Sequence, residues 1–413
     1  MLLRARIVLP ISRPPIADGA VLISGNRIAA LGRWRDLSRA AAGATADLGD
    51  AILLPGLVNA HCHLDYTDMA GQPATKQFPD WIKGLMARKA AASYADYAQA
   101  WLRGAAMLVR NGVTTVGDIE AVPELLPDVW SSTPLRVGSF LEMTGVRSGR
   151  DPLAIVQEAG AKIDGLKPDR GFAGISPHAL YSTTPELLRL AAHLSAQSEW
   201  PVTMHVAESI DEFEMYVHRR GPLFGWLKDQ RDMTDCGHGT PVQQIRQSGL
   251  LGERFLAVHA NYLQAVDIRA LAETRSSVVH CPRSHVYFGH QPFPYEKLTA
   301  AGVNVCLGTD SLASVTPSRP PGPELNLLTE MRTFAALHPS ATPAEVLRLG
   351  TINGARALRL QGHAGEITPD SLADLIAIPH TGKLKDAEPA VIDHRGPIMA
   401  SMIDGQWVIQ GQV

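Results

Sequence analysis

Read as a string of apolar and polar positions, the chain changes its period twice. "GAVLISGNRIAALG" (19 to 32) is two alternating runs around Gly25-Asn26, and "ASMIDGQWVIQG" (400 to 411) repeats the pattern around Asp404-Gly405. Alternation with period two describes half-buried strands, and both dipeptides tolerate the positive φ that a tight hairpin needs. The two ends of the chain are therefore predicted to build one small β-sandwich domain together, over residues 1–54 and 366–413. Between them the pattern becomes short continuous apolar runs separated by helical stretches, which is the signature of βα units on a parallel sheet buried on both faces. The runs are "GLVNA" (56 to 60), "GVTTVGD" (112 to 118), "LRVGSFL" (135 to 141), "GFAGISP" (171 to 177), "PVTMHV" (201 to 206), "FLAVHA" (255 to 260), "SSVVHC" (276 to 281) and "VNVCLGT" (303 to 309). Eight is the number that closes a (β/α)₈ TIM barrel, predicted over residues 55–365.

The helices carry their own punctuation. "ATPAEVLRL" offers Thr342 as N-cap, Pro343 at the first helical position and Glu345 to complete a capping box. "DYAQAWLRGAAMLVRNG" places Tyr97, Trp101, Ala105 and Leu108 on one face before Gly112 ends it, so that stripe is expected to face the barrel. The Pro-rich "TPSRPPGPE" (316 to 324) reads as a rigid loop. The long connection "LDYTDMAGQPATKQFPDWIKGLMARKA" after the first run exceeds an ordinary βα loop, and its Phe78 and Trp81 either cover a planar ligand or anchor the loop.

Composition narrows the class. A chain of 413 residues, 45% hydrophobic and 19% charged, can bury a large core. Its net charge of -3 and isoelectric point near 6.6 give no basic face for nucleic acid or an anionic membrane. The start, "MLLRARIVLPISRPPIADG", breaks its apolar stretch with arginines, unlike a signal peptide, and no transmembrane-length run appears later, so a cytoplasmic location is expected. Cys62, Cys236, Cys281 and Cys306 are scattered without CxxC spacing, which argues against disulfides and thiolate zinc sites.

The residues just past each apolar run carry the chemistry. In chain order the C-terminal ends bear His61 and His63, Asp118 and Glu120, Glu142, His178, His205 and Glu208, His259, Ser284 and His285, and Asp310. In a barrel all those ends share one face, where barrel enzymes place their reactive groups. One histidine past a strand is usually an ordinary hydrogen-bonded residue, but the joint placement is not what chance delivers. His61 and His63 stand on alternate positions of an extended segment, so both imidazoles point the same way. His205 and Asp310 are the choices for the remaining ligands, giving three neutral nitrogens and one carboxylate that suit zinc or ferrous iron and leave a position for water. Glu208, just past His205 where the strand turns toward a helix, can approach a substrate without binding metal. For Asp118, Glu120 and Glu142 structural roles at the rim are favoured, with Glu142 the nearest of the three to a substrate contact.

"PGLVNAHCHLD", "SPHALYS", "HVAES", "VHANYL", "HCPRSH" and "GTDSLAS", in that order, resemble the amidohydrolase superfamily, specifically its cytosine deaminase-like branch of aminohydrolases and triazine hydrolases. The resemblance covers nearly the whole chain. It implies that His61, His63, His205 and Asp310 are metal ligands, Glu208 the proton shuttle, and His259 the partner of the attacking water. Activated water, positioned by Asp310 and His259, which can take up its proton, would add to a ring carbon while Glu208 protonates the ring nitrogen and then the departing amine. The segment after the fourth run, "GFAGISPHALYS", lacks the lysine that bridges two metals in binuclear members, so one divalent ion is implied, zinc ahead of iron. Relatives commonly carry asparagine where this chain has His285. His178, Trp81, Arg283 and His285 are the expected substrate contacts.

The function implied is a hydrolytic deaminase of an aminated heterocycle such as an adenosine derivative or aminodeoxyfutalosine. The alternatives are a triazine-type hydrolase releasing chloride or alkylamine, and a catalytically silent scaffold, which would show gaps in the ligand set. The implied partners are a small heterocycle and a second copy of the chain, as a homodimer, with neither nucleic acid nor membrane. Nucleic-acid editing by zinc deaminases of another fold needs an H-x-E and P-C-x-x-C pattern that this sequence lacks.

Overall fold

The computed structural model describes residues 1–413 except 40–42, 147–148, 319–321 and 411–413. The expected loop over 316–324 and the last residue of the second hairpin therefore lie partly outside the described residues. Among the described residues no helix is long and apolar enough to cross a membrane.

Among the described residues sixteen strands divide between two sheets. The N-terminal strands β1 (Leu2–Val8), β2 (Ile16–Ser24), β3 (Arg27–Arg33), β4 (Thr45–Asp47) and β5 (Ala51–Pro55) precede the second sheet, whose strands run from β6 (Leu57–Cys62) to β13. The intervening members are β7 (Val113–Glu120), β8 (Arg136–Met143), β9 (Gly171–Pro177), β10 (Val202–Val206), β11 (Phe255–His259) and β12 (Ser277–His280), and β13 is Val305–Leu307. The C-terminal strands β14 (Leu375–Pro379), β15 (Ala400–Ile403) and β16 (Gln406–Ile409) return to the first sheet, whose order is β16-β15-β14-β5-β1-β2-β3 with β4 also on β1. A separate sheet made from both termini is thus observed, and both expected hairpins are present as antiparallel pairs. The division expected between residues 54 and 55 lies inside β5, one residue before its end.

The second sheet pairs β6 through β13 in sequence order, all parallel. Its strands are continuous apolar runs because helices cover one face and the barrel interior the other; β10 and β11 are buried at every position. The ends meet where Cys62 bridges Asp310 and the Asn59 carboxamide exchanges hydrogen bonds with Thr309, at 2.7 and 3.0 Å. Gly308 permits that approach: a Cβ there would stand 2.8 Å from the His61 carbonyl oxygen. The result is a (β/α)₈ barrel with the terminal sheet beside it.

The helix Tyr94–Arg110 buries Tyr97, Trp101, Ala105 and Leu108 as the stripe requires, and starts on a Ser93–Asp96 capping box. Trp101 is 1% exposed, so Trp101→Ala would cost about 3–5 kcal/mol through the void it leaves. Thr342 caps the helix Pro343–Leu349 as expected. Two expectations change. The long connection after the first run is not mainly loop: Phe78–Ala91 is an α-helix, with Pro79 in its first turn and Arg88 and Lys89 in its last. Likewise the C-terminal stretch does not serve the sheet alone, since Ala387, Val391 and Ile392 of the helix Ala387–Asp393 join the barrel's hydrophobic core.

Candidate metal centre

The carboxyl ends of β6, β10, β11 and the segment after β13 bring His61, His63, His205, His259 and Asp310 together. Alternation along β6 turns His61 and His63 inward and Cys62 into the hydrophobic core behind, and the two imidazoles stand edge to face with centroids 4.9 Å apart. The backbone is bent to achieve this. His259 (φ 70), Ala260 (φ 49), Ala207 (φ 48) and Asp310 (φ 53) all occupy the left-handed region. A non-glycine residue rarely adopts that conformation, and it persists where surrounding structure over-determines it.

Hydrogen bonds fix which nitrogens are bare. His205 Nδ1 lies 2.9 Å from the His178 carbonyl oxygen, which only accepts, so the ring proton sits on Nδ1 and Nε2 carries a lone pair. That Nε2 is 3.2 Å from His63 Nε2. Burial, reinforced by neighbouring imidazoles, holds His63 and His205 well below the ordinary histidine pKa, so both are neutral at physiological pH. Burial also lowers His259, to about 3. Burial alone would raise the Asp310 carboxyl, but the surrounding imidazoles, His61 foremost, take it well below the usual range, and Ser314 Oγ donates to its Oδ2 at 2.9 Å.

This donor set fits a small divalent cation. Both ring nitrogens of His61, Nδ1 of His63 and Nε2 of His259 are buried without a hydrogen-bond partner. An orphaned buried polar atom normally costs about 1–3 kcal/mol. The ligand atoms of His61, His63 and His205 lie within 4.8 Å of one another, as do those of His61, His259 and Asp310. Asp310 Oδ1 is 3.7 Å from His61 Nε2 and 3.8 Å from His63 Nε2. Tetrahedral zinc with bonds of about 2.0–2.1 Å has ligand separations of about 3.3 Å, close to those seen. Neutral imidazoles with one carboxylate suit zinc, and the carboxylate offsets its charge.

The cluster floors a cavity of about 290 Å³. Glu208 lines it with Oε1 3.6 Å from His259 Nε2. The backbone around Glu208 is clamped on two sides. The Glu212 carboxylate accepts from Glu208 N at 2.9 Å and Ala207 N at 3.1 Å, and Asn261 Nδ2 donates to the Glu208 carbonyl at 2.9 Å. Burial, with Asp310 and Glu212 adding negative charge, raises the Glu208 carboxyl well above its ordinary pKa. The lining is mixed: Trp81, Ile82, Leu85, Met86, Trp226 and Leu227 are apolar, and Lys89, Glu142, His178 and Ser182 are polar. Such amphipathic concavities suit flat, partly polar small molecules.

Of the expected substrate contacts, Trp81 and His178 line the cavity, while Arg283 and His285 do not. Trp81 also donates from Nε1 to the Ala313 carbonyl at 3.3 Å, so its ring both anchors the helix and faces the cavity. Arg283 is spent elsewhere: its guanidinium pairs with the buried Glu330 and donates to the Glu324 carbonyl at 2.9 Å. His285 Nδ1 is 3.0 Å from Asn261 Oδ1, so this departure from the relatives' asparagine braces the residue that holds Glu208. Asp118 and Glu120 are structural, accepting from Leu64 N at 2.9 Å and Ser139 Oγ at 2.6 Å. Sequence reasoning missed Lys89 and Tyr66. Their one signal was position in an over-long connection just past two metal-ligand candidates.

The sequence matches the amidohydrolase family over residues 52–408. It is 31% identical over 380 residues to the 5'-deoxyadenosine deaminase of Methanothermobacter thermautotrophicus, covering 88% of this chain and 81% of that one. Among solved structures it superposes on a zinc-bound adenosine deaminase from Xanthomonas campestris with a TM-score of 0.85 and 25% identity, over 100% of this chain and 93% of the other. It also shares the fold of the zinc-complexed atrazine chlorohydrolase of Arthrobacter aurescens, with a TM-score of 0.84 and 20% identity over 99% and 95% of the two chains.

Proposed function

The chain belongs to the amidohydrolase family, and from that membership we propose that it is a hydrolytic deaminase of an adenosine-like heterocycle, with one divalent ion held by His61, His63, His205 and Asp310. The observation that carries this reading is the placement of a buried carboxyl, Glu208, 3.6 Å from His259 at the floor of an amphipathic cavity, beside imidazoles whose nitrogens have no hydrogen-bond partner. The similarity to a 5'-deoxyadenosine deaminase and a zinc-bound adenosine deaminase supports it. Zinc is preferred to iron.

When bound, the ion supplies Lewis acidity, lowering the pKa of water from about 15.7 toward ~7. His259, neutral because it is buried, accepts a hydrogen bond at Nε2 from the water that adds to the ring carbon. Burial favours the protonated form of Glu208, which delivers its proton to the adjacent ring nitrogen as the carbon becomes tetrahedral. It then takes the proton released by the water and passes it to the exocyclic amine. As ammonia leaves, the added hydroxyl becomes the ring carbonyl and returns its proton to Glu208, so one water is consumed and the carboxyl is restored. Trp81 and the apolar lining exclude bulk solvent and stack on the flat ring, while His178 supplies a polar contact at its edge.

The silent-scaffold alternative predicts a gap among His61, His63, His205, Glu208, His259 and Asp310, and each position is filled. The triazine alternative shares these ligands and differs in the leaving group. A cytoplasmic homodimer completes the reading; four free, buried cysteines suit a reducing compartment. The deciding experiment offers zinc-loaded protein a panel of aminopurine nucleosides, free aminopurines, pterins and triazines. Ammonia release fastest from an adenosine derivative is expected, and release of chloride or alkylamine without deamination would overturn the assignment.

A further inference from the structure

Glu212 is a buried acid that serves neither the metal centre nor the helix it begins. It stands at the third position of the helix Ile210–His218, whose N-cap is Ser209, and Ser209 Oγ accepts from its amide at 3.1 Å. "SIDE" (209 to 212) is thus a capping-box pattern, but the return bond from the Ser209 amide to the carboxylate is not made. Instead the carboxylate reaches past the N-cap, with Oε1 accepting from Ala207 N at 3.1 Å and Oε2 from Glu208 N at 2.9 Å. Glu212 is 0% exposed, and among the described residues no cation pairs with it. Burying an acid without a partner cation is costly, so its role lies in what those two bonds hold.

They hold a reversal of the chain. Along an extended strand, side chains three positions apart point to opposite faces. His205 and Glu208 are three apart, yet both line the cavity. The reversal comes at Ala207, whose φ of 48° is left-handed although it is not glycine. Ala207 N and Glu208 N belong to the peptide planes on either side of the Ala207 Cα, so one carboxylate bonded to both fixes the torsions between them. The carbonyls are taken from the other side: Ala207 O accepts from Asn261 N at 3.1 Å, and Glu208 O from Asn261 Nδ2 at 2.9 Å. We propose that Glu212 is a positioning residue, whose two-oxygen grip on the Ala207 turn aims the Glu208 carboxyl at the cavity floor beside His259. This rests on the deaminase reading, in which Glu208 moves the protons, and adds the residue that aims it. A displacement of about 1 Å at a reacting group can cost about 100-fold in rate.

The test compares wild type, Glu212→Gln, Glu208→Gln and the double variant as zinc-loaded full chains, with adenosine or whichever compound of the panel releases ammonia fastest. Glutamine keeps the volume but offers one oxygen, and its NH₂ group opposes the second amide. Glu212→Gln is expected to keep its zinc and lose about 100-fold in kcat, with KM within about threefold of wild type. The double variant is expected to stay within about threefold of Glu208→Gln alone, because a residue that acts only through Glu208 has nothing left to aim. Unchanged kcat, loss of zinc, or a penalty that multiplies onto that of Glu208→Gln would overturn the proposal. Hydrogen exchange of the Ala207 and Glu208 amides is followed in parallel by fragment mass spectrometry. Both are expected to be protected in wild type and to open in Glu212→Gln while the strand Val202–Val206 stays protected. If nothing in the panel releases ammonia, the deaminase reading fails and exchange decides the grip: opening in the variant supports it, unchanged protection overturns it. Should the variant misfold, wild-type exchange decides: protected amides support the grip, and amides that exchange like an open loop overturn it.

Discussion

Two groups of four histidines lie in this barrel, and they differ in where their nitrogens go. His61, His63, His205 and His259 pack ring against ring with centroids 4.9 to 5.9 Å apart, aim nitrogens at one another, and surround the carboxylate of Asp310. His280, His285, His290 and His338 lie nearly as close, with centroids 5.1 to 6.5 Å apart, but their nitrogens diverge. His285 turns to Asn261, His290 to Tyr262 at 3.1 Å, and His338 to the exposed edge, where Glu296 is 3.5 Å away. His280 stacks on Phe293 at 3.9 Å with both ring nitrogens unpartnered. Crowded imidazoles do not make a metal site; convergent lone pairs around a negative charge do.

Substitutions should separate the two groups, in descending order of effect. Asp310→Ala or His61→Ala removes a proposed ligand. Zinc content, measured by atomic emission after metal-supplemented expression, should fall from about one per chain to near zero, with kcat/KM lower by about 10³-fold. Glu208→Gln, beside the ligands but not among them, should keep its zinc and lose about 10²–10⁴-fold in kcat, the range of a proton-transfer group. Loss of zinc in that variant would show that Glu208 is a ligand. His285→Phe, in the second group, should retain zinc and lose about tenfold in kcat as Asn261 releases the Glu208 backbone, with Asn261→Ala behaving alike. His280→Leu should leave zinc content and kcat within about twofold of wild type. It should raise Tm by about 1–2 °C, because it removes a buried imidazole with no hydrogen-bond partner.

The same contrast explains what the sequence could reveal. Strands buried on both faces are continuous apolar runs, so each of the eight runs fell on a barrel strand, and residues at or just past the carboxyl end of a strand share the barrel mouth. That made His61, His63, His205, His259 and Asp310 legible together. Arg283 and His285 also come after a strand, but they belong to the helix Pro282–Phe288, whose turn decides which side chains face the cavity. Sequence position alone does not fix that direction. Lys89 was illegible for a related reason. It reaches the cavity only because Phe78–Ala91 forms a helix that folds back over the mouth and buries Phe78, Trp81, Ile82 and Leu85. The Glu208 brace was hidden too: Glu212 and Asn261 reach its backbone across the left-handed turns at Ala207, His259 and Ala260, which no local pattern announces.

The most direct test of the central claim is anomalous X-ray diffraction from zinc-loaded crystals, recorded on both sides of the zinc absorption edge. One strong peak enclosed by the side chains of His61, His63, His205 and Asp310 is expected, with none among His280, His285, His290 and His338. A peak at the second group, or no peak at the first in protein that carries one zinc per chain, would contradict the account.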